Sequence, residues 1–428
     1  MYFSLDGERV EGRAGDTLAA ALVRLGVSTI TRSIKYHRPR GAFCLAGTCG
    51  QCLVRVDGVP SVMACQTALH EGLTCERQNG PLGVDTDVFR AADFVFGKGL
   101  DHHHLMVQSK LLGRVALEVA RRLAGLGELP DKTRGAVPAE ERTAALAIVG
   151  AGPAGLAAAQ AAIDAGVKDV LLIERDPHAG GAIGQGLVKD DRELGSRTVA
   201  ALGERLITNA ELVGMYRDDD PKLPARLLVR RHDRLLFISA QRVLLAHGGA
   251  SQPLPVPGND RPGVYAARGL LGLAKRCDVR VQRGGEVAKV VVIGTGDELA
   301  QGAKALEGAG YPLVRAIDAA QVIELHGDPV DEVIVKSASG AQERLRCGAV
   351  AIALPLAPLH EPASNLGAHT KFLPASDAFA LQADADGRTT VPWIFAAGTL
   401  VGAGGVEAAE SGAKAGAAAA RECTERAS

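Results

Sequence analysis

The stretch Ala147-Ile148-Val149-Gly150-Ala151-Gly152-Pro153-Ala154-Gly155 decides the fold. A buried apolar strand runs into three glycines and then into a helix starting near Leu156. The first glycine makes the tight turn and the second lets backbone approach a pyrophosphate. The third lets helix pack on strand. Pyrophosphate would then rest on the helix N-terminus. A second strand, Val170 to Ile173, ends at Glu174, 19 residues after Gly155, where a carboxylate can hold ribose hydroxyls. A glycine triplet alone is weak, but the complete strand-turn-helix-strand-acid unit predicts a dinucleotide site on Gly150, Gly152, Pro153, Ala154, Gly155 and Glu174.

From Ala144 onward strands and helices alternate, which predicts doubly wound α/β architecture. A second unit begins near Lys289. There Val290-Val291-Val292-Ile293 leads into Gly294-Thr295-Gly296-Asp297-Glu298-Leu299, and Asp318 falls 19 residues after Leu299. Leu299 stands where the third glycine belongs, so this copy is degraded. It reads as a pyridine-nucleotide domain or, the reading favoured, as a Rossmann-like scaffold that has no ligand or offers its surface to a partner.

Upstream, Cys44, Cys49, Cys52 and Cys65 follow the pattern C-x4-C-x2-C-x12-C. Four thiolates, three of them on one loop, suit a 2Fe-2S cluster, and the first three have plant-type ferredoxin spacing. Ala46, Gly47 and Gly50 keep the loop small enough for amides to approach sulfur. Structural zinc usually pairs two C-x2-C knuckles, and only Cys49-x2-Cys52 is present. Around the loop, Tyr2 to Leu5, the Asp6-Gly7 turn, a helix capped near Asp16-Thr17 and the Asp57-Gly58 hairpin resemble a β-grasp ferredoxin domain.

The chain has 428 residues, 47% of them hydrophobic, 52 glycines, only 4% aromatics and a formal charge of −1. This predicts two or three domains and gives no reason to expect nucleic acid. No apolar run is long enough to span a bilayer and no signal peptide is recognisable. Cys75, Cys277, Cys347 and Cys423 are scattered, which fits a reducing cytoplasm better than a disulfide framework. The expected division is a cluster domain over 1–85 and a helical linker over 86–142. A Rossmann domain over 143–265 and 365–428 and a degenerate nucleotide domain over 266–364 complete it. One helix is expected from Leu105 to Leu126. His102-His103-His104 reads as a solvated or interface segment, because consecutive residues cannot all face one ion. No catalytic acid, base or nucleophile stands out.

Glu174-Arg175-Asp176 followed by Gly180-Gly181 resembles the FAD domain of two-dinucleotide flavoproteins. Phe395-Ala396-Ala397-Gly398-Thr399 resembles their late motif, with Thr399 in place of its Asp. The resemblance implies FAD, with Arg175, Gly181, Gly398 and Thr399 among its contacts. Because of Thr399, NAD or ATP stays open at the same site.

The run from Arg32 through Lys35, His37, Arg38, Pro39 and Arg40 to Gly41 resembles the α subunit of heterotetrameric sarcosine oxidase, as does Gly125 to Asp131. The cysteine motif is similar to small iron-sulfur components of opine oxidases, hydrogen cyanide synthase and D-hydroxyproline dehydrogenase. No aminomethyltransferase-like region follows the Gly398 motif. This resemblance implies an electron-transfer α subunit of a flavin-dependent amine or imino-acid dehydrogenase or oxidase. It further implies an FAD-containing, amino-acid-oxidase-like β subunit, further small subunits, an FMN near the α–β interface and an external electron acceptor. The alternatives are a self-contained NAD(P)H-dependent FAD/2Fe-2S reductase and a scaffold subunit with a structural nucleotide. The Arg38–Arg40 run either favours a flavin phosphate or braces the cysteine loop.

Overall fold

The computed structural model describes residues 1–33, 38–79, 83–86, 135–187, 192–231, 234–337 and 339–425. The expected Leu105–Leu126 helix, the His102–His104 run, the Gly125–Asp131 stretch and most of the 86–142 linker lie outside the described residues.

The N-terminal sheet holds β1 (Tyr2–Leu5), β2 (Glu8–Glu11), β3 (Leu53–Val56), β4 (Val59–Met63) and β5 (Thr74–Arg77) in the order β2-β1-β5-β3-β4. The hairpin turns carry Asp6 and Asp57 at φ 51° and 49°, each followed by a positive-φ glycine. That is the type of turn whose twist matches antiparallel strands. Helix α1 (Leu18–Arg24) follows the Thr17 cap, whose hydroxyl accepts from the Ala20 N–H, and buries Leu18 and Leu22 completely.

The central sheet contains β6 (Ala139–Val149), β7 (Val170–Ile173), β8 (Leu206–Ile207), β9 (Ala210–Arg217), β10 (Ala225–Arg231) and β11 (Arg234–Leu245). Their order is β8-β7-β6-β11-β10-β9. Strand β6 starts five residues earlier than the apolar run, because Glu140 to Arg142 pair in parallel register with Leu236 to Ile238 of β11. Helix α2 (Pro153–Asp164) crosses from β6 to β7.

The next segment contributes β12 (Val264–Ala266), α3 (Ala267–Arg276), β13 (Val290–Gly294), α4 (Gly296–Gly308) and β14 (Leu313–Asp318). After them come the meander β15 (Val322–Gly327), β16 (Val330–Lys336) and β17 (Gln342–Arg346), and then β18 (Ala349–Ala353). A parallel sheet forms in the order β12-β18-β13-β14. Strands β13 and β18 are buried throughout, as expected for a parallel sheet covered on both faces. Finally β19 (Ile394–Ala396) adds to β11 in the central sheet, and α5 (Glu407–Glu425) follows.

The described residues fall into two compact units. The first draws on Met1–Thr133 and Pro253–Leu354, so it joins the N-terminal sheet to the β12–β18 segment. The second draws on Arg134–Gln252 and Pro355–Ser428 and contains the central sheet. In the second unit α5 lies directly on α2. A Cβ at Gly412 would stand 2.0 Å from the Ala154 carbonyl oxygen, and one at Gly416 2.3 Å from that of Ala158. Small residues therefore set the spacing of the helix pair.

Candidate cluster loop and nucleotide sites

The cysteine loop leaves the buried segment Ala42-Phe43 and turns sharply. Leu45, Gly47 and Gly50 have φ of 53°, 72° and 63°. The Leu45 value is costly for a side chain with a Cβ. The result is backbone N–H groups aimed at sulfur, since Ala46 and Thr48 each donate to Cys44 Sγ at 3.4 Å. Cys65 arrives just after β4, where Gln66 Nε2 lies 3.8 Å from its sulfur. A Cβ at Gly47 would meet the Gln66 side chain at 2.9 Å, which explains the glycine.

The four sulfurs interact pairwise, Cys44 with Cys49 and Cys65, and Cys52 with Cys65. The partner sulfurs hold the Cys44 and Cys52 thiols low, Cys49 first for Cys44 and Cys65 first for Cys52. The same contacts, led by Cys44 in both cases, push Cys49 and Cys65 up. Two of the four thiols are thus held protonated, and all four must lose their protons to serve as ligands. Among the described residues no group of three or more His, Cys, Asp or Glu surrounds a single ion position. A two-iron cluster has two metal positions, so its four thiolates need not converge on one point. By contrast, Cys75 and Cys347 are pushed by burial to about 12 and are inert thiols.

The basic run next to the loop is partly described. Arg38 and Arg40 each lie 3.7 Å from Asp260, and Gly41 abuts Ser28 and Pro262. These contacts favour the bracing role; residues 34–37 lie outside the described residues.

In the second unit the three glycines differ in their surroundings. Gly150, at φ 98°, turns against β11, and a Cβ there would meet the Ala246 carbonyl oxygen at 2.6 Å. A Cβ on Gly155 would stand 1.7 Å from the Gly150 carbonyl oxygen. Around Gly152 nothing lies within 4 Å. The first and third glycines serve the fold, and the second faces open space where a ligand backbone can approach. Gly152 is also the N-cap of α2 and supplies no capping side chain, with Pro153 and Ala154 in the first turn. Gly180 N–H donates to the Ala151 carbonyl at 2.8 Å, and a Cβ on Gly181 would meet Gly152 Cα at 3.1 Å. Gly398 lies against the same helix start, its missing Cβ 2.9 Å from that of Ala154, and Thr399 follows it partly exposed.

Glu174 accepts from Ala151 N–H at 2.6 Å and Asp176 N–H at 2.8 Å. Burial raises its pKa, while those hydrogen bonds lower it. Arg175 Nε is enclosed without a hydrogen-bond partner. An orphaned donor one residue after Glu174, together with an open glycine at an uncapped helix start, fits a bound anion. His247, for which no role was assigned from sequence, follows β11. Its Nε2 donates to the Leu359 carbonyl at 2.9 Å, since a carbonyl can only accept, and Nδ1 is enclosed without a partner. Burial pushes the imidazole down to about 4.

The degraded unit looks different. A Cβ on Gly294 would meet the Ala353 carbonyl oxygen at 2.0 Å, so the strand turn is intact. Asp297 and Glu298 occupy the first turn of α4, and Arg268 on α3 pairs with Glu298 at 2.9 and 3.1 Å. Two carboxylates at this helix start oppose a pyrophosphate.

Residues 1–80 match a family described as 2Fe-2S iron-sulfur cluster binding domain, and residues 146–221 match FAD dependent oxidoreductase. The sarcosine oxidase subunit alpha of Rhizobium meliloti (strain 1021) is 31% identical over 351 residues, 74% of this chain and 34% of that protein. This chain is homologous to sarcosine oxidase α subunits. It spans about a third of the length of those relatives. Hydrogen cyanide synthase subunit HcnA of Pseudomonas aeruginosa is 35% identical over 79 residues, 18% of this chain and 75% of that protein. The solved L-proline dehydrogenase from P. horikoshii superposes with a TM-score of 0.72 at 21% identity, covering 98% of this chain and 73% of that one. The fold is therefore an α/β Rossmann-like fold with an N-terminal 2Fe-2S domain, and the two matched family descriptions name a 2Fe-2S cluster and FAD. Among the described residues no helix is long and apolar enough to cross a membrane.

Proposed function

We propose that this chain is the electron-transfer subunit of a heteromeric, flavin-dependent dehydrogenase or oxidase of amines or imino acids such as sarcosine, opines, proline or hydroxyproline. One observation carries this reading. A four-sulfur loop and an open glycine cradle occur in the same chain, and among the described residues no nucleophile or general base is arranged for substrate chemistry. The flavin supplies the change from paired to single electrons, and the cluster supplies one-electron relay. Cys44, Cys49, Cys52 and Cys65 hold the cluster. Gly150 to Gly155, Glu174, Arg175, Gly181, Gly398 and Thr399 hold the dinucleotide. Substrate is oxidised on an FAD-containing β subunit, with FMN near its interface and an external acceptor beyond the cluster. The free cysteines suit a cytoplasmic setting.

The carboxylates at the start of α4 weigh against a self-contained NAD(P)H reductase. Thr399 favours a second reading, a structural NAD or ATP in the first site, because those ligands need no carboxylate there. Releasing the nucleotide by heat and identifying it by mass spectrometry separates these. FAD supports the proposal; NAD or ATP moves the flavin to partner subunits. Rapid bleaching of flavin by NADH in the isolated chain overturns the assignment in favour of the reductase.

A further inference from the structure

We infer that the degraded second Rossmann unit has become the seat of the cysteine loop, with Gly269 on α3 as the positioning residue that sets where Cys44 stands. This rests on the reading that the loop holds a cluster. Phe43 and Cys44 are 2% and 1% exposed, and they are buried in the core of the second Rossmann unit with Val264, Ala266, Val291 and Ile352. Ala46 and Cys49 pack against the same core. At the entrance to α3, Ala266 N–H donates to the Phe43 carbonyl at 3.0 Å.

Within the first turn of the helix, a Cβ on Gly269 would stand 2.9 Å from the Cys44 carbonyl oxygen and 3.0 Å from that of Phe43. Both obstacles are backbone, so nothing flexible can yield. Leu45 is held in a left-handed conformation, and a residue with a Cβ persists there only where its surroundings over-determine it. Helix α3 supplies that support. The Arg268–Glu298 pair next to it fills the helix start that a nucleotide would otherwise use.

The test uses the full chain with its cluster and compares G269A with G272A. Gly272 lies on the same helix with nothing within 4 Å, so it controls for any general effect of alanine in α3. G269A is expected to shift the EPR g-values and midpoint potential of the reduced cluster. Iron loss to a chelator should accelerate roughly tenfold, a typical effect of disturbing a ligand's support. Nucleotide content should not change, and G272A should match wild type throughout. A second variant, A266P, removes the donor to Phe43 and sets its ring against that carbonyl, while φ at Ala266 is already −68°. It is expected to shift the same signals and serves if G269A does not fold. Wild-type EPR, potential and chelation rate in both variants, or an equal change in G272A, overturns the inference. A wild-type chain with no 2Fe-2S signal would instead refute the cluster reading beneath it.

Discussion

Replacing Gly152 and Gly155 separately with alanine should split ligand binding from folding. The backbone at Gly152 has φ −77° and ψ −173°, which alanine adopts freely, and nothing lies within 4 Å of a Cβ placed there. Gly152→Ala should therefore fold with a loss of about 1 kcal/mol or less from the weaker N-cap. The added methyl stands where pyrophosphate meets backbone. Losing one hydrogen bond to that charged group costs about 1.5–3 kcal/mol, or roughly ten- to a hundredfold in affinity. Gly155→Ala is the opposite case. Its Cβ would sit 1.7 Å from the Gly150 oxygen, so helix and turn must part by about 1.5 Å to reach ordinary contact. Such overpacking costs about 1–3 kcal/mol, or roughly 2–12 °C of Tm in a unit of this size. Nucleotide should be lost along with stability. The assay is heat-released nucleotide per chain together with thermal unfolding. Gly152→Ala carrying wild-type nucleotide at wild-type affinity would refute the placement of the pyrophosphate, whatever Gly155→Ala does.

Changing Cys49 to Ser should abolish the visible absorption and reduced-state EPR signal of the cluster while heat-released nucleotide stays constant; a full signal would show that Cys49 is not a ligand. Gly412→Ala should force α5 off α2, since its Cβ would lie 2.0 Å from the Ala154 oxygen. Calorimetry should show a Tm drop of several degrees at about 2–4 °C per kcal/mol, and an unchanged Tm would refute the close packing. His247 favours the neutral state when folded, so the unfolded chain takes up a proton that the folded chain refuses. Its contribution is full above pH 6.5 and is lost as pH falls toward about 4. The loss amounts to at most about 3 kcal/mol, reduced by the part of the residue open to solvent. Denaturant titrations should show a flatter pH dependence for His247→Gln between pH 6.5 and 4, and parallel curves would remove His247 as the cause.

Local chemistry made the glycine turn, the Asp57-Gly58 hairpin and the cysteine loop readable, because each depends on residues a few positions apart. Leu299, where a third glycine belongs, was likewise visible in sequence. The carboxylates at the start of α4 were visible in sequence, but their pairing with Arg268 joins residues 30 positions apart and has no local signature. The early start of β6 was hidden by Glu140-Glu141-Arg142, whose polar pattern does not look like a strand until β11 lies beside it. His247 is a single residue after an apolar strand, and only the fold reveals that Nδ1 is enclosed without a partner. The three glycines of the first turn share one sequence pattern, yet two answer to the fold and one to open space.

The union of the N-terminal sheet with residues 253–354 in one compact unit has a consequence during synthesis. Phe43 leaves the ribosome more than two hundred residues before Gly269, which at about 5–20 residues per second is a delay of roughly 10–45 s. Through that interval the first three cysteines are translated without the helix against which their loop is set. Newly made thiolates that wait tens of seconds for their support are open to oxidation and to capture by stray metal. On the inferred seating of the loop against α3, iron-sulfur loading would be tied to completion of a segment that contains none of the four cysteines.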